Sequence, residues 1–395
     1  MTTSMAEAPH RLADSAGIAR FCEQTFTSMS RSDQRRWGEI YVRGLVTVPG
    51  RKTIQKIADL IAGTAADQSL QQFVNQSPWD WTPVRYMLAH ILSSALPVRA
   101  WLVDEVAFPK NGSNSVGVTS QYVPTAGRRM NCQLAAALSF AGDGFSCPVN
   151  WRLILPRCWD DDLDRRRKSH LPAAVRHRPT WQHLLDVIDE TVAGWGFPPP
   201  PLVLDRRHDP AVEPLLRGLD DRGLRYVVRI SPDTPAGTVG GPAGRPVRAS
   251  ELLWRSMHHR VMLAAPAAVG PRPGGSQFVS VPVPCSEPAD AGRAARPGRH
   301  LVVQRQRGRE QPSGIWSTNL GAARLPEVAH LTGMPDRARA EAADLEHGSG
   351  LQHFEGRSFR GWHHHVTLAS VAHAYRLISS AQRLDSTRML RAVEA

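Results

Sequence analysis

Two carboxylates stand where apolar strands would carry them. Asp104 lies inside the run 98–108, flanked by Leu102, Val103 and Val106, and Asp205 directly follows Leu202-Val203-Leu204. An acid inside or ending a buried apolar strand is costly unless it is paired or binds a cation. Two such acids on strands adjacent in one sheet could hold a pair of hard cations about 4 Å apart, the arrangement that two-metal phosphodiester chemistry needs. One ion would activate an attacking water or 3′-OH, and the other would stabilise the leaving oxygen. A third carboxylate, from a returning helix, would complete the coordination. Glu105 adjoins Asp104, but alternation along a strand turns the two to opposite faces. Position favours Asp104.

The elements that must carry these acids can be read from periodicity. Segments 18–28, 32–45, 53–62, 68–76 and 83–96 have apolar residues at three- and four-residue spacing and read as helices. Breakers separate them, such as Val48-Pro49-Gly50 and Ser77-Pro78, and Ser32-Asp33-Gln34 and Ser77-Pro78-Trp79-Asp80 read as helix starts. From Pro97 the period changes. Runs 98–108, 130–140 and 149–155 read as strands, 181–195 as a helix, 202–205 as a strand, 211–221 as a helix and 226–230 as a strand. That succession is the order of an RNase H-like core, a mixed sheet with helices on both faces. Between 231 and 298 the chain is rich in Pro, Gly and Arg, without a helical period, and 278–283 is a short strand within it. Strand-like 301–304 and 315–320 precede helices over 324–331, 337–346 and 362–384.

The expected fold is therefore α/β: an RNase H-like catalytic core with a β-rich insertion, preceded by a helical N-terminal domain. The expected boundaries are 1–96 for a helical, DNA-binding domain and 97–231 for the first part of the core. Residues 232–325 form the insertion, and 326–395 hold the helices that complete the core.

Composition narrows the setting. The chain has 395 residues, 42% hydrophobic, with eleven Trp, which excludes a disordered chain. No apolar run approaches the roughly 18–20 residues of a membrane span, and the N-terminal residues have no signal-peptide core. Cys22, Cys132, Cys147, Cys158 and Cys285 show no framework spacing, as expected of reduced thiols in a soluble, cytoplasmic protein. The formal charge is +12, and all but four of the 48 basic residues are Arg. Codon usage in a GC-rich genome would explain Arg over Lys, but not why Asp and Glu number only 36. A basic excess of this size is the electrostatic footprint of a nucleic-acid partner.

Three separated blocks carry a resemblance. WLVDEVAFPKNGSNSVGV (101–118), followed by Gln121-Tyr122, Gly127 and Asn131-Cys132-Gln133, resembles the first catalytic block of bacterial insertion-sequence transposases of the DDE superfamily. FVNQSPWD (73–80) and GLQHFEGRSFRGWHHHVTL (350–368) resemble the same group. The resemblance implies an RNase H-like DDE endonuclease that cuts element ends and transfers strands with two Mg²⁺ ions, Mn²⁺ able to substitute. Its partner would be double-stranded DNA, at element ends and at the target, and a homodimer on DNA is one arrangement it allows.

Carried over by position, Asp104 matches the first acid and Asp205 the second, although Arg206-Arg207-His208 follow it in place of the family's usual small residue, Gly and aromatic. The third position departs. Counting back from Gly350, the family's Glu falls on Arg339 and its Lys on Glu346. Glu341, two residues later and rotated by about 200° on a helix, is the candidate third acid and metal ligand beside Asp104 and Asp205. Glu346 and Glu355 are the substitutes. The alternative expectation is a catalytically decayed, transposase-derived DNA-binding protein.

Lys110, Arg128 and Arg129 flank the first acid on expected loops, and with Arg357 and Arg360 they are the candidate DNA contacts. His363-His364-His365 cannot all face one way on a helix, so the reading is a phosphate contact or an exposed helix start rather than zinc. Trp79 and Trp81 read as core anchors. The glycine pairs 240–241 and 274–275 lack the context of a nucleotide loop.

Overall fold

The computed structural model describes residues 7–63, 66–239, 245–258, 263–265, 276–283, 298–306 and 311–393. Cys285 and the glycine pairs 240–241 and 274–275 lie outside the described residues. The chain opens with helices α1 (Glu7–Thr25), α2 (Ser32–Thr47), α3 (Ile54–Ile57, continued by a wider turn over Ala58–Ala62), α4 (Asp67–Asn75) and α5 (Trp81–Ala95). Asp80 caps α5 by accepting from the Thr82 N–H at 2.9 Å, satisfying a donor that the first turn leaves free.

Then come strands β1 (Ala100–Pro109), β2 (Thr119–Val123), β3 (Arg128–Gly142) and β4 (Phe145–Ile154). They lead into α6 (Leu163–Lys168), α7 (Thr180–Asp189), β5 (Leu202–Asp205), α8 (Glu213–Asp221) and β6 (Tyr226–Ile230). A β7 (Pro235–Val239) and β8 (Arg245–Arg248) hairpin and α9 (Ala249–His258) follow, then β9 (Leu263–Ala265), β10 (Ser276–Pro282), β11 (His300–Gln306) and β12 (Gly314–Thr318). The chain returns through α10 (Leu325–Thr332), α11 (Met334–Ala343) and α12 (Phe359–Val393).

One mixed sheet organises these elements, in the order β2-β3-β1-β5-β6-β12-β11-β10-β9. β4 pairs with β3 along the edge that also holds β2. β1, β5 and β6 are parallel, and β3 and β4 are antiparallel to their neighbours. Parallel strands buried on both faces need continuous apolar runs, and Leu202-Val203-Leu204 and Tyr226-Val227-Val228 supply them. One face, through Leu102, Val203, Val227 and Trp316, packs on Leu325, Val328, Leu331 and Met334 of α10 and α11. The other face is covered by α7 and α8. These two helices meet so closely at Gly218 that a Cβ there would lie 2.4 Å from the Leu185 side chain.

One expectation is corrected. Residues 231–298 do hold a helix, α9, whose Leu252 and Leu253 are buried. Its ten residues are too short for periodicity to stand out among flanking Pro and Gly. The stretch 232–325, expected as a β-rich insertion, carries β7 to β12. β12 pairs directly with β6, and β11, β10 and β9 extend the sheet from there. No helix among the described residues is long and apolar enough to cross a membrane.

The histidines are the largest local surprise. From Gly361 to Tyr375 every residue of α12 is buried, because the helix threads between the N-terminal helices and the sheet. A helix enclosed all round has no solvent face, so consecutive histidines can each find a protein partner. His363 stacks on Trp81, ring centroids 4.4 Å apart, and its Nδ1 accepts from Arg85 at 3.1 Å. His364 stacks on Trp79 at 3.8 Å, with its ring nitrogens 2.9 and 3.0 Å from Val74 O and Trp79 O. His365 accepts from Tyr41 Oη at Nδ1 and donates from Nε2 to Leu351 O, both at 2.9 Å. Arg85, fully enclosed, donates to Thr367 Oγ1 (2.7 Å), Trp151 O (2.8 Å) and His363 O (3.3 Å). The residues expected to touch phosphate instead fasten the N-terminal helices to the core.

Two outcomes follow from this network. Arg85→Ala would strand several buried acceptors and is expected to cost about 3 kcal/mol, read as a lower denaturant midpoint. Burial holds the pKa of His365 down at about 4 and that of His363 well below its usual 6.5. As pH falls from about 6.5 the unfolded chain therefore takes up protons first. Stability should be full above that pH and fall progressively towards pH 4. Denaturant midpoints that stay flat across the window would contradict neutral, buried rings.

Candidate active site

Strand pairing puts the two expected acids on adjacent strands. Trp101 pairs with Leu202 and Leu102 with Val203 across the parallel β1–β5 ladder. The ladder ends there, two residues before the acids; the same offset continued would set Asp104 opposite Asp205, and the Asp205 charge does act on Asp104. Asp205 pairs with Arg229 on β6, Arg229 with Trp316 on β12, and Asp104 with Ala137 on β3. Paired residues share a face, so Asp104, Asp205, Arg229 and Trp316 form one row beneath α11. Glu105 faces the other way and is ion-paired to the buried Arg206, which also holds Asp209 at 2.5 Å.

The two acids have very different surroundings. Asp205, with its side chain 10% exposed, accepts from Arg207 Nε at 2.9 and 3.0 Å and from Arg339 Nη2 at 3.0 Å. Arg229 Nη1 lies 4.0 Å from it, with its guanidinium 5.5 Å from the Trp316 ring centre. Burial would raise the Asp205 pKa, but hydrogen bonding from Arg207 and the charges of Arg207 and Arg229 outweigh it, and the net direction is down. Asp104 has no hydrogen-bond or ion-pair partner among the described residues. Burial, and then the neighbouring Asp205 charge, push it up to about 6.

The substitutes for the third acid are elsewhere. Arg339, not Glu341, projects from α11 onto Asp205, and it is steadied by Asp336 at 2.8 Å. Glu341 is rotated away, as its helix position requires, and the charges acting on it are those of His373 and Arg337. Glu346 interacts with His347 and Gln352, and Glu355 pairs with Arg51 at 2.7 Å. Among the described residues no group of three His, Cys, Asp or Glu side chains could hold a metal ion. The geometry brings together Asp104 and Asp205 and leaves Glu341 outside. Sequence reasoning missed Arg207 and Arg229 as partners of Asp205, although Arg206-Arg207 directly after the acid was a visible departure.

The candidate DNA contacts divide as well. Arg128 and Arg129 open β3 rather than lying on a loop. Arg128 is exposed, and Arg129 donates to Ser120 O at 2.9 Å. Arg357 and Arg360 are exposed, with Arg360 touching Gln76 O at 3.2 Å. Lys110 turns inward and donates to Phe354 O at 2.6 Å, and burial lowers its pKa to about 8.

An ionised Asp104 costs the fold stability, because its native pKa is raised above the unfolded value. Native Asp104 holds its proton between about pH 4 and 6, so this cost appears as pH rises through about 6. Asp104→Asn should stabilise the chain by about 1–2 kcal/mol at pH 8, with the gain vanishing below pH 4. Thermal unfolding of both proteins across that range checks it.

Against known sequences, residues 24–311 match the family described as DDE superfamily endonuclease, a span that includes Asp104 and Asp205 and ends before α11. A relative described as a probable transposase for insertion sequence element IS701, from Microchaete diplosiphon, is 24% identical over 189 residues. That alignment takes in 47% of this chain, which spans about half (46%) of the relative's length. With more than half of its length matched, the chain belongs to the DDE superfamily endonuclease family.

Proposed function

We propose that the chain acts on DNA as an insertion-sequence transposase. It would recognise the ends of its element and present Asp104 and Asp205 as the acidic centre for cleavage and strand transfer. The observation that carries this reading is that the two carboxylates stand on adjacent parallel strands, close enough for the Asp205 charge to act on the buried Asp104. The order β4-β3-β1-β5-β6, with β1, β5 and β6 parallel and helices on both faces, supports an RNase H-like core. The net charge of +12 and the exposed Arg128, Arg357 and Arg360 support a DNA partner. The N-terminal helices would contribute to end recognition.

Divalent cations, Mg²⁺ with Mn²⁺ as substitute, would supply the activation of the attacking oxygen and the stabilisation of the leaving one. The donor set as it stands does not fit that pair of ions. Asp205 is enclosed by guanidinium groups, and the position over it belongs to Arg339. No cleavage step through metal follows from these residues. This favours a second reading, binding of element ends without cleavage.

An oligonucleotide carrying the terminal inverted repeats separates the two. Nicks that need Mg²⁺ and disappear in Asp104→Ala support the transposase. Tight, steeply salt-dependent binding with no nicks in Mg²⁺ or Mn²⁺ supports the second reading, and neither binding nor nicks would sink both. If Arg128 and Arg129 each meet a phosphate, the double Ala variant should flatten the slope of log K against log salt by about 2.

A further inference from the structure

We propose that Arg339, together with Arg207 and Arg229, is a built-in counter-cation that occupies the metal face of Asp205 and closes this centre to divalent ions. The inference rests on the family reading for why a metal would be sought there, and on the geometry for why it is excluded. The Asp205 carboxylate has two oxygens. Arg207 addresses both, and Arg339 adds a charge-assisted bond to Oδ2 at 3.0 Å. Such bonds are about twice as strong as neutral ones, and Arg does not lose its charge by deprotonation. A Mg²⁺ or Mn²⁺ ion would have to displace them.

Arg339 is also held in place by more than Asp205. Asp336, one turn earlier on α11, accepts from Arg339 Nη1 at 2.8 Å and lies 3.9 Å from Arg229 Nη1. Asp205, Arg339, Asp336 and Arg229 therefore close a ring of alternating charge across α11, β5 and β6. Within the centre, three guanidinium groups stand against the carboxylates of Asp104, Asp205 and Asp336, so the site lacks the net negative charge that draws in a hard cation. Among the described residues of the centre Asp104 makes no hydrogen bond or ion pair, and a single carboxylate is a weak ligand set.

The same geometry predicts how the centre opens. A carboxylate at position 339 would project from α11 towards Asp205 and Asp104. Because its side chain is shorter than that of Arg, it would stop short of their oxygens and leave room for an ion between three acids. Arg339→Glu is thus expected to gain metal binding, whereas Arg339→Gln removes the positive charge but adds only a neutral amide oxygen and should gain less.

The test titrates the full chain with Mn²⁺ in the absence of DNA. It follows bound Mn²⁺ by its paramagnetic resonance signal and folding by the thermal midpoint. The native chain should show no saturable binding and no midpoint shift at millimolar Mn²⁺. Arg339→Glu should bind at least about tenfold more tightly than Arg339→Gln, with a rising midpoint. Adding Asp104→Asn should abolish that gain. If Arg339→Glu does not unfold cooperatively, Arg339→Gln decides, and it must bind Mn²⁺ more tightly than the native chain. Native binding as tight as that of Arg339→Glu, or folded variants that bind no better than the native chain, would overturn the proposal. Because DNA is absent, failure here leaves the DNA-binding reading standing, and loss of DNA binding would leave this result untouched.

Discussion

Two carboxylates on adjacent strands of a buried sheet are the constraint on which the rest of this molecule turns. At roughly the spacing of adjacent strands, two like charges in a partly desolvated site repel by roughly 3–4 kcal/mol. The fold resolves this asymmetrically. Asp205 is given guanidinium partners from its own strand end, from β6 and from α11, and stays ionised. Asp104 receives none and is pushed towards its protonated form. Apolar packing of α10 and α11 on this face brings Arg339 to Asp205, and Arg229 stands beside the acid in the same row.

A second set of polar groups does structural work at a distance from that site. The buried start of α12 meets α2, α4 and α5 through hydrogen-bonded rings and Arg85 rather than through apolar contact alone. Arg85 suits that position because its planar fork can address several fixed acceptors at once, which an ammonium on a flexible stem does less well. The GLQHF segment just before α12 belongs to the same joint. Gly350 has φ +69°, and a Cβ there would lie 2.9 Å from Lys52, so the backbone needs glycine to turn beside α2. A block of sequence that resembles transposases is here explained by packing.

The charge of the chain acquires a more particular meaning. Part of the arginine excess lies inside, on Asp205, on Glu105 and Asp209, and on the acceptors around Arg85. The total of +12 therefore does not map onto a uniformly basic surface. Exposed guanidinium groups remain at the start of β3 and around the start of α12, at Arg128, Arg129, Arg357 and Arg360, and also elsewhere on the surface, as at Arg36 and Arg157.

Local patterning in the sequence determined a good deal. Period fixed the strands at 202–205 and 226–230 and most helices to within a few residues, and the cost of burying a charge singled out Asp104 and Asp205. Counting along α11 also set Arg339 where an acid was expected and turned Glu341 away, because helical rotation depends only on spacing. Tertiary structure alone decided the rest. The joining of β12 to β6, the sleeve that buries three consecutive histidines, and the arrival of Arg229 and Arg339 beside Asp205 all bring together residues far apart in the chain. No local period encodes such contacts. They depend on which faces meet once the sheet and helices pack, and there a charge finds either a partner or none.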